Sequence, residues 1–332
     1  MVRTLSSGCY APIPTFFDAN EELDVDTFSR HIVYLAKLGM YPVVAGSMGE
    51  AHHLTPSERK TLIIAARKAL DDAELVDVPI IAGTGVGSTR GTIELSRECA
   101  EAGADCAIVI ASGYYAGALN KEALIKFFVD VADASPIPVM IYNYPGASGG
   151  IDLDSDTILE IANRSSNICG VKLTCGAVGK LTRITGGVSN MAFKTKNGEF
   201  LTLGGFADFI LPTVLGAQAQ GAIMGLGNLY PRAIVKLFKL SESLLSLSKS
   251  DEKWLSILEQ ALELQTVVST ADAIYGPAGI AATKATLQLR RGYGGNTRLP
   301  LLPCPKDKLD AIEANEGIKK ANFVEKSLSE SK

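Results

Sequence analysis

The chain has 332 residues, 47% apolar and 20% charged, which is enough to bury a large core in one or two domains. Its net charge of −4, with no basic block, argues against nucleic acid as a partner. No run approaches the roughly 18 apolar residues of a membrane span, so no membrane partner is expected.

Strand and helix signals alternate from the start. Tyr10–Phe17 is a short apolar run, and Asp24–Leu38 shows helical apolar spacing (Phe28, Ile32, Leu35, Leu38) before Gly39. Tyr41–Ala45 reads as a second strand, closed by Gly46-Ser-Met-Gly-Glu50. Thr55, Pro56 and Glu58 stand at N-cap, N1 and N3 of a helix running to about Leu70. Val78–Gly83, Asp105–Ala111 and Pro138–Asn143 are the next three strands, with helices to Ala102 and over Lys121–Ala134 between them. Leu153–Ala162 is a helix, Ile168–Thr174 the sixth strand, and Gly179–Ile184 a short helix. Met191–Thr195 and Ala222–Leu226 fit a seventh and eighth strand, with a helical run at Phe206–Leu215. Eight strands with intervening helices predict a (β/α)₈ TIM barrel in residues 1–230. A doubly wound sheet is the competing architecture. Beyond Pro231 the pattern becomes helix after helix (Arg232–Leu247, Glu252–Ile274, Pro277–Arg290) with a polar tail from Lys306. Residues 231–332 therefore read as a C-terminal helical extension with no functional motif of its own.

The six cysteines are scattered without a Cys-x-x-Cys pair and read as reduced thiols of a cytoplasmic protein. The first residues carry no signal-type apolar region and no Arg-rich amphipathic stretch, in keeping with that location. No metal is expected, because no Cys or Asp/Glu cluster joins His31, His52 and His53 at ligand spacing. Gly83-Thr-Gly-Val-Gly87 lacks the spacing of a dinucleotide fingerprint. Gly176–Lys180 mimics a phosphate loop, but Thr174 and Leu181 break its pattern. No cofactor is therefore expected.

One cation interrupts an apolar strand. In Ile168-Cys-Gly-Val-Lys-Leu-Thr-Cys175, period-2 geometry puts Val171 and Leu173 on one face and Lys172, with Gly170 and Thr174, on the other. Desolvation disfavours an ammonium, and the neutral amine is a nucleophile toward carbonyls. The competing explanation is a barrel lysine paired with a carboxylate. Two further features fall where a barrel carries its active site, at the carboxyl ends of strands. Gly46–Glu50 can converge backbone N–H groups on a carboxylate or phosphate. Tyr142, on the face shared with Met140, can relay protons or fill the interior.

Together with Ser112-Gly-Tyr-Tyr115, Tyr142-Asn-Tyr-Pro145, Gly170-Val-Lys-Leu-Thr174, Gly221–Gly225 with Asn228, and Gly292–Pro300, these residues resemble the dihydrodipicolinate synthase/N-acetylneuraminate lyase superfamily over about residues 8–305. Those proteins are Schiff-base-forming, pyruvate-handling aldolases on a (β/α)₈ barrel. The resemblance implies that Lys172 forms the imine and Tyr142 relays protons. It implies that Ser47 and Met48 hold the pyruvyl carboxylate, and that Tyr115 reaches a neighbouring subunit's site. More loosely, it places Gly198 and Ile223 along the pyruvyl pocket. Lysine-pathway synthases carry an arginine where this chain has Ala147. Tyr142-Asn-Tyr-Pro-Gly-Ala-Ser148 looks more like the 2-keto-3-deoxy sugar acid aldolases, which puts Ala147 and Ser148 beside the aldehyde half. The implied substrate is a 2-keto-3-deoxy-hexonate of L-threo type, with 4-hydroxy-2-oxoglutarate as the alternative, and the implied assembly is a homotetramer built from dimers. A non-catalytic keto-acid sensor and an NAD-linked oxidoreductase on Gly83–Gly87 are the readings outside this class.

Overall fold

The computed structural model describes residues 2–190, 195, 196 and 198–330. Eight parallel strands close a barrel in chain order: β1 (Gly8–Pro12), β2 (Met40–Val44), β3 (Ile81–Gly83), β4 (Cys106–Ile110), β5 (Val139–Asn143), β6 (Ile168–Leu173), β7 (Leu201–Gly204) and β8 (Gly221–Ile223). The last strand pairs with the first through Cys9 opposite Ala222. This is the (β/α)₈ architecture expected from the alternating pattern. Inward-facing Tyr10, Val43, Ile81, Ile108, Met140 and Leu203 fill the barrel. Outward residues such as Val44, Val109, Ile141, Val171 and Leu173 pack beneath the helices. The β5–β6 register sets Tyr142 directly opposite Lys172. Two facing residues on one ladder project from the same side of the sheet, so both point inward.

The helices start where their caps dictate. In α1 (Val25–Lys37) the Asp24 carboxylate accepts the Thr27 N–H, and in α2 (Pro56–Asp72) Thr55 and Glu58 complete a capping box. The ring continues with α3 (Thr89–Glu101), α4 (Lys121–Ala134), α5 (Ser155–Arg164), α6 (Val178–Asn190) and α7 (Pro231–Ser246). Because α7 packs against β1, it fills the eighth helix position, and the ring closes at Ser246 rather than before Pro231.

Three expectations are corrected. The seventh strand is Leu201–Gly204, not Met191–Thr195; Thr195 forms an isolated bridge to Gly198, and 191–194 lie outside the described residues. The helical runs Glu252–Ile274 and Pro277–Arg290 belong to one long element, α8 (Glu252–Arg291), interrupted at Gly279 (φ 75°, ψ −162°). Pro277 has no N–H to donate, which favours a break nearby. The polar tail forms α9 (Lys306–Ala314) and α10 (Glu316–Glu330), anchored by buried Ile312, Ile318 and Ala321. Among the described residues no helix is long and apolar enough to cross a membrane, and all six cysteines are free thiols.

Candidate functional site

Three lysines are buried among the described residues: Lys172, Lys180 and Lys284. Lys180 pairs with Asp152, and Lys284 pairs with Glu50 at 3.0 Å. Lys172, only 6% exposed, forms no ion pair among the described residues. Its Nζ lies 4.3 Å from the centroid of the Tyr142 ring. A buried ammonium normally has a carboxylate beside it. The absence of one here removes the structural explanation for the residue and leaves its amine facing a cavity.

That cavity, of about 130 Å³, is lined by Lys172, Tyr142, Ser47, Met48 and Ile223 from the barrel. Ser47 Oγ and Tyr142 Oη lie 3.4 Å apart, which joins the loop after β2 to β5. Tyr144 stacks on Tyr142 with 5.7 Å between centroids, and burial followed by the neighbouring phenol raises its hydroxyl above the ordinary range. The loop is held tightly. Ala45 (φ 52°) and Glu50 (φ 54°) flank it in left-handed geometry, which costs a non-glycine residue about 1 kcal/mol or more. The Glu50 and Ala51 N–H groups donate back to Ser47 and Gly46 carbonyls, and among the described residues neither the Ser47 nor the Met48 N–H is taken by another group. Two N–H groups so placed, on the cavity that Lys172 lines, can bind a small carboxylate.

Glu50 anchors this loop to the C-terminal extension. Its Oε1 accepts from Lys284 of α8, and its Oε2 faces His53 Nδ1 at 3.1 Å and accepts the Arg298 N–H at 2.9 Å. Burial lowers Lys284 below the usual lysine range, opposed by the charge of Glu50. Helix α8 also contributes Asp272, Tyr275 and Thr283 to the cavity wall. The extension, which carries no functional motif of its own, therefore contributes to the cavity wall.

A second lobe of about 310 Å³ shares Ser47 and Tyr142 with the first and is lined by Ala147, His53, Ile280 and Leu301. Ala147 thus borders the site. Ser148 does not: its buried hydroxyl faces the Tyr144 carbonyl at 2.8 Å and the Ile151 carbonyl at 3.2 Å, closing its own loop. Gly198 also falls away from the site. It precedes β7, at the amino-terminal mouth of the barrel, and Gly205 and Phe206 beyond the carboxyl end of that strand line the cavity instead. Tyr115 stands outside the cavity, 65% exposed and packed edge-on against Tyr114 at 4.9 Å.

Sequence reasoning missed Thr174, Phe206 and Asp272. Thr174 follows Lys172 on the same inward face, and its buried Oγ1 has no hydrogen-bond partner. The period-2 pattern that located Lys172 was sufficient to nominate it. Asp272 carried no local signal, because it lies on the extension, far from Lys172 in sequence.

The dihydrodipicolinate synthetase family model matches residues 5–315. The chain belongs to this family. Among curated relatives, the L-threo-3-deoxy-hexylosonate aldolase of Aspergillus niger is 41% identical, covering 98% of this chain and 97% of its own length. A protein of Emericella nidulans named "Probable 4-hydroxy-2-oxoglutarate aldolase, mitochondrial" is also 41% identical, covering 94% of each chain. Among solved structures, a dihydrodipicolinate synthase family protein from Coccidioides immitis superposes with a TM-score of 0.81 at 32% identity, covering 99% of this chain and 100% of that one. A solved fold of this family thus covers 99% of the chain.

Proposed function

We propose that this chain is a class I aldolase that cleaves a 2-keto-3-deoxy sugar acid of the L-threo-hexonate type to pyruvate and glyceraldehyde. The observation that carries the reading is the buried Lys172, unpaired with any carboxylate among the described residues and set against a Tyr142 whose hydroxyl lies 3.4 Å from Ser47. In this mechanism the Ser47 and Met48 N–H groups hold the C1 carboxylate. The Lys172 amine adds to C2, and loss of water gives an iminium. The C3–C4 bond breaks, and its electron pair flows to the iminium nitrogen, forming an enamine. The C4 hydroxyl proton passes to the Tyr142–Ser47 relay, releasing the aldehyde. Protonation at C3 and hydrolysis then free pyruvate and regenerate Lys172. No cofactor enters these steps.

The Lys172 cavity holds no other Lys, Arg or His among its described residues, which supports a neutral aldehyde product over a carboxylated one. The same reading proposes a homotetramer; Tyr114 and Tyr115, 88% and 65% exposed at the barrel rim, fit burial against a second subunit. It keeps the cytoplasm as the proposed location, and six free cysteines fit a reducing compartment. A retro-aldol panel with lactate-dehydrogenase-coupled detection tests the activity. The 2-keto-3-deoxy-hexonate is expected to give the highest kcat/KM, and a higher value for 4-hydroxy-2-oxoglutarate would move the assignment to that reaction.

A further inference from the structure

Asp272 is an acid without a cation. It sits on α8, 8% exposed, and lines the same cavity as Lys172. Its Oδ2 accepts the backbone N–H groups of Ala207 (2.7 Å) and Asp208 (3.1 Å), on the segment following β7. Both bonds fall on one oxygen, which leaves Oδ1 to the cavity. No ion pair to Asp272 forms among the described residues, whereas buried Glu50 has Lys284. A buried carboxylate held by neutral donors and facing a cavity is poised to accept hydrogen bonds.

The remaining lining has the same character. Lys172 is the only Lys, Arg or His among the described residues of this wall, and imine formation commits it to C2. A second carboxylate on the substrate would thus meet no partner charge and one like charge. A hydroxyl would meet Asp272 and the unpartnered Thr174 Oγ1. Across the second lobe, Arg59 is already occupied by the Gly83 and Ala51 carbonyls.

We propose that the Asp272 carboxylate sets substrate specificity, accepting a hydrogen bond from a hydroxyl of the aldehyde half and repelling aldehydes that carry a carboxylate. The inference rests on the aldolase reading above and deepens it: the substrate class is the 2-keto-3-deoxy acid with a neutral polyol end. The helical extension, through one residue, then selects the aldehyde, and the barrel strands handle pyruvate.

The test is condensation of saturating pyruvate with glyceraldehyde or glyoxylate, by the wild type and by Asp272→Asn. The amide oxygen of Asn keeps an acceptor for the Ala207 and Asp208 N–H groups while removing the charge. The wild type is expected to prefer glyceraldehyde. In the variant the ratio of kcat/KM values, glyceraldehyde over glyoxylate, should fall about tenfold or more, chiefly through KM. Borohydride trapping of pyruvate on Lys172 should be unchanged, since a general loss of structure would weaken that too. If the Asn variant fails to trap pyruvate, Asp272→Ser is judged by the same ratio. An unmoved ratio with trapping intact overturns the assignment and sends the aldehyde half to the lobe beside Ala147. A wild type that traps no pyruvate at Lys172 defeats the aldolase reading instead, so the two failures are distinct.

Discussion

Replacing Lys284 with Met should destabilise the protein and loosen the carboxylate loop together. The Glu50–Lys284 pair is fully buried at 3.0 Å, and Lys284 also lies 4.7 Å from the centroid of the Phe17 ring. Met matches the length of the lysine stem but removes the cation that partners buried Glu50. Removing one partner of a buried pair costs about 3–5 kcal/mol. The Arg298 N–H and His53 still reach Glu50 Oε2, which places the expected loss near the lower end, about 3 kcal/mol. In a thermal melt of a 332-residue chain that is a fall of about 4 °C. Because Glu50 ends the loop that offers the Ser47 and Met48 N–H groups, KM for the keto acid should rise as well. The double variant Glu50→Gln with Lys284→Met removes both charges and should recover most of the lost stability. Denaturant melts of the wild type and both variants, with kcat and KM, form the assay. A Lys284→Met variant within about 0.5 kcal/mol of wild type and unchanged in KM would refute the claim that this pair ties the extension to the loop.

Tyr142→Phe keeps the ring beneath Lys172 but removes the proton relay; kcat should fall about 10²–10⁴-fold while pyruvate trapping persists, read by steady-state kinetics and mass spectrometry. Gly205→Ala would place a Cβ 2.4 Å from Thr174 Oγ1 and 2.6 Å from its Cα; a loss of about 1–3 kcal/mol with a raised KM is expected in melts and kinetics. His31 gives a pH signature. Its Nε2 faces Asn228 Oδ1 at 3.0 Å, and burial pushes its pKa down to about 4 from an ordinary 6.5. The folded state thus holds His31 neutral while the unfolded chain protonates near 6.5, so the unfolded state binds more protons between those values and stability falls as pH drops through that window. The loss reaches about 3 kcal/mol at the acid end. Denaturant melts from pH 7 to 4 should show that slope in the wild type and a flatter one in His31→Gln.

Much of the fold was legible because its signals are local. The Thr55–Glu58 capping box and the apolar spacing of Asp24–Leu38 fix helices from adjacent residues, and the single cation in Ile168–Cys175 located the inward face of β6. The seventh strand failed for lack of such a signal. Met191–Phe193 and Phe200–Leu203 both read as short apolar stretches in sequence, and the ladder that pairs Leu201 with Gly170 places the strand at the second. Gly198, placed loosely by the resemblance, precedes that strand, whereas Gly205 and Phe206 beyond its carboxyl end line the cavity. The tail from Lys306 looked polar because its helices bury one narrow stripe against α8. Asp272 was invisible for a related reason: about 100 residues separate it from Lys172 in sequence, and no local pattern says that the extension folds back over the barrel mouth.

The central claim is that Lys172 carries the chemistry, and the most direct measurement is borohydride reduction in the presence of pyruvate followed by peptide mass mapping. The account predicts a stoichiometric reduced-pyruvate adduct on Lys172, absent from Lys172→Arg and retained in Tyr142→Phe. No adduct, or an adduct on another lysine such as Lys196 with Lys172 unmodified, would contradict it.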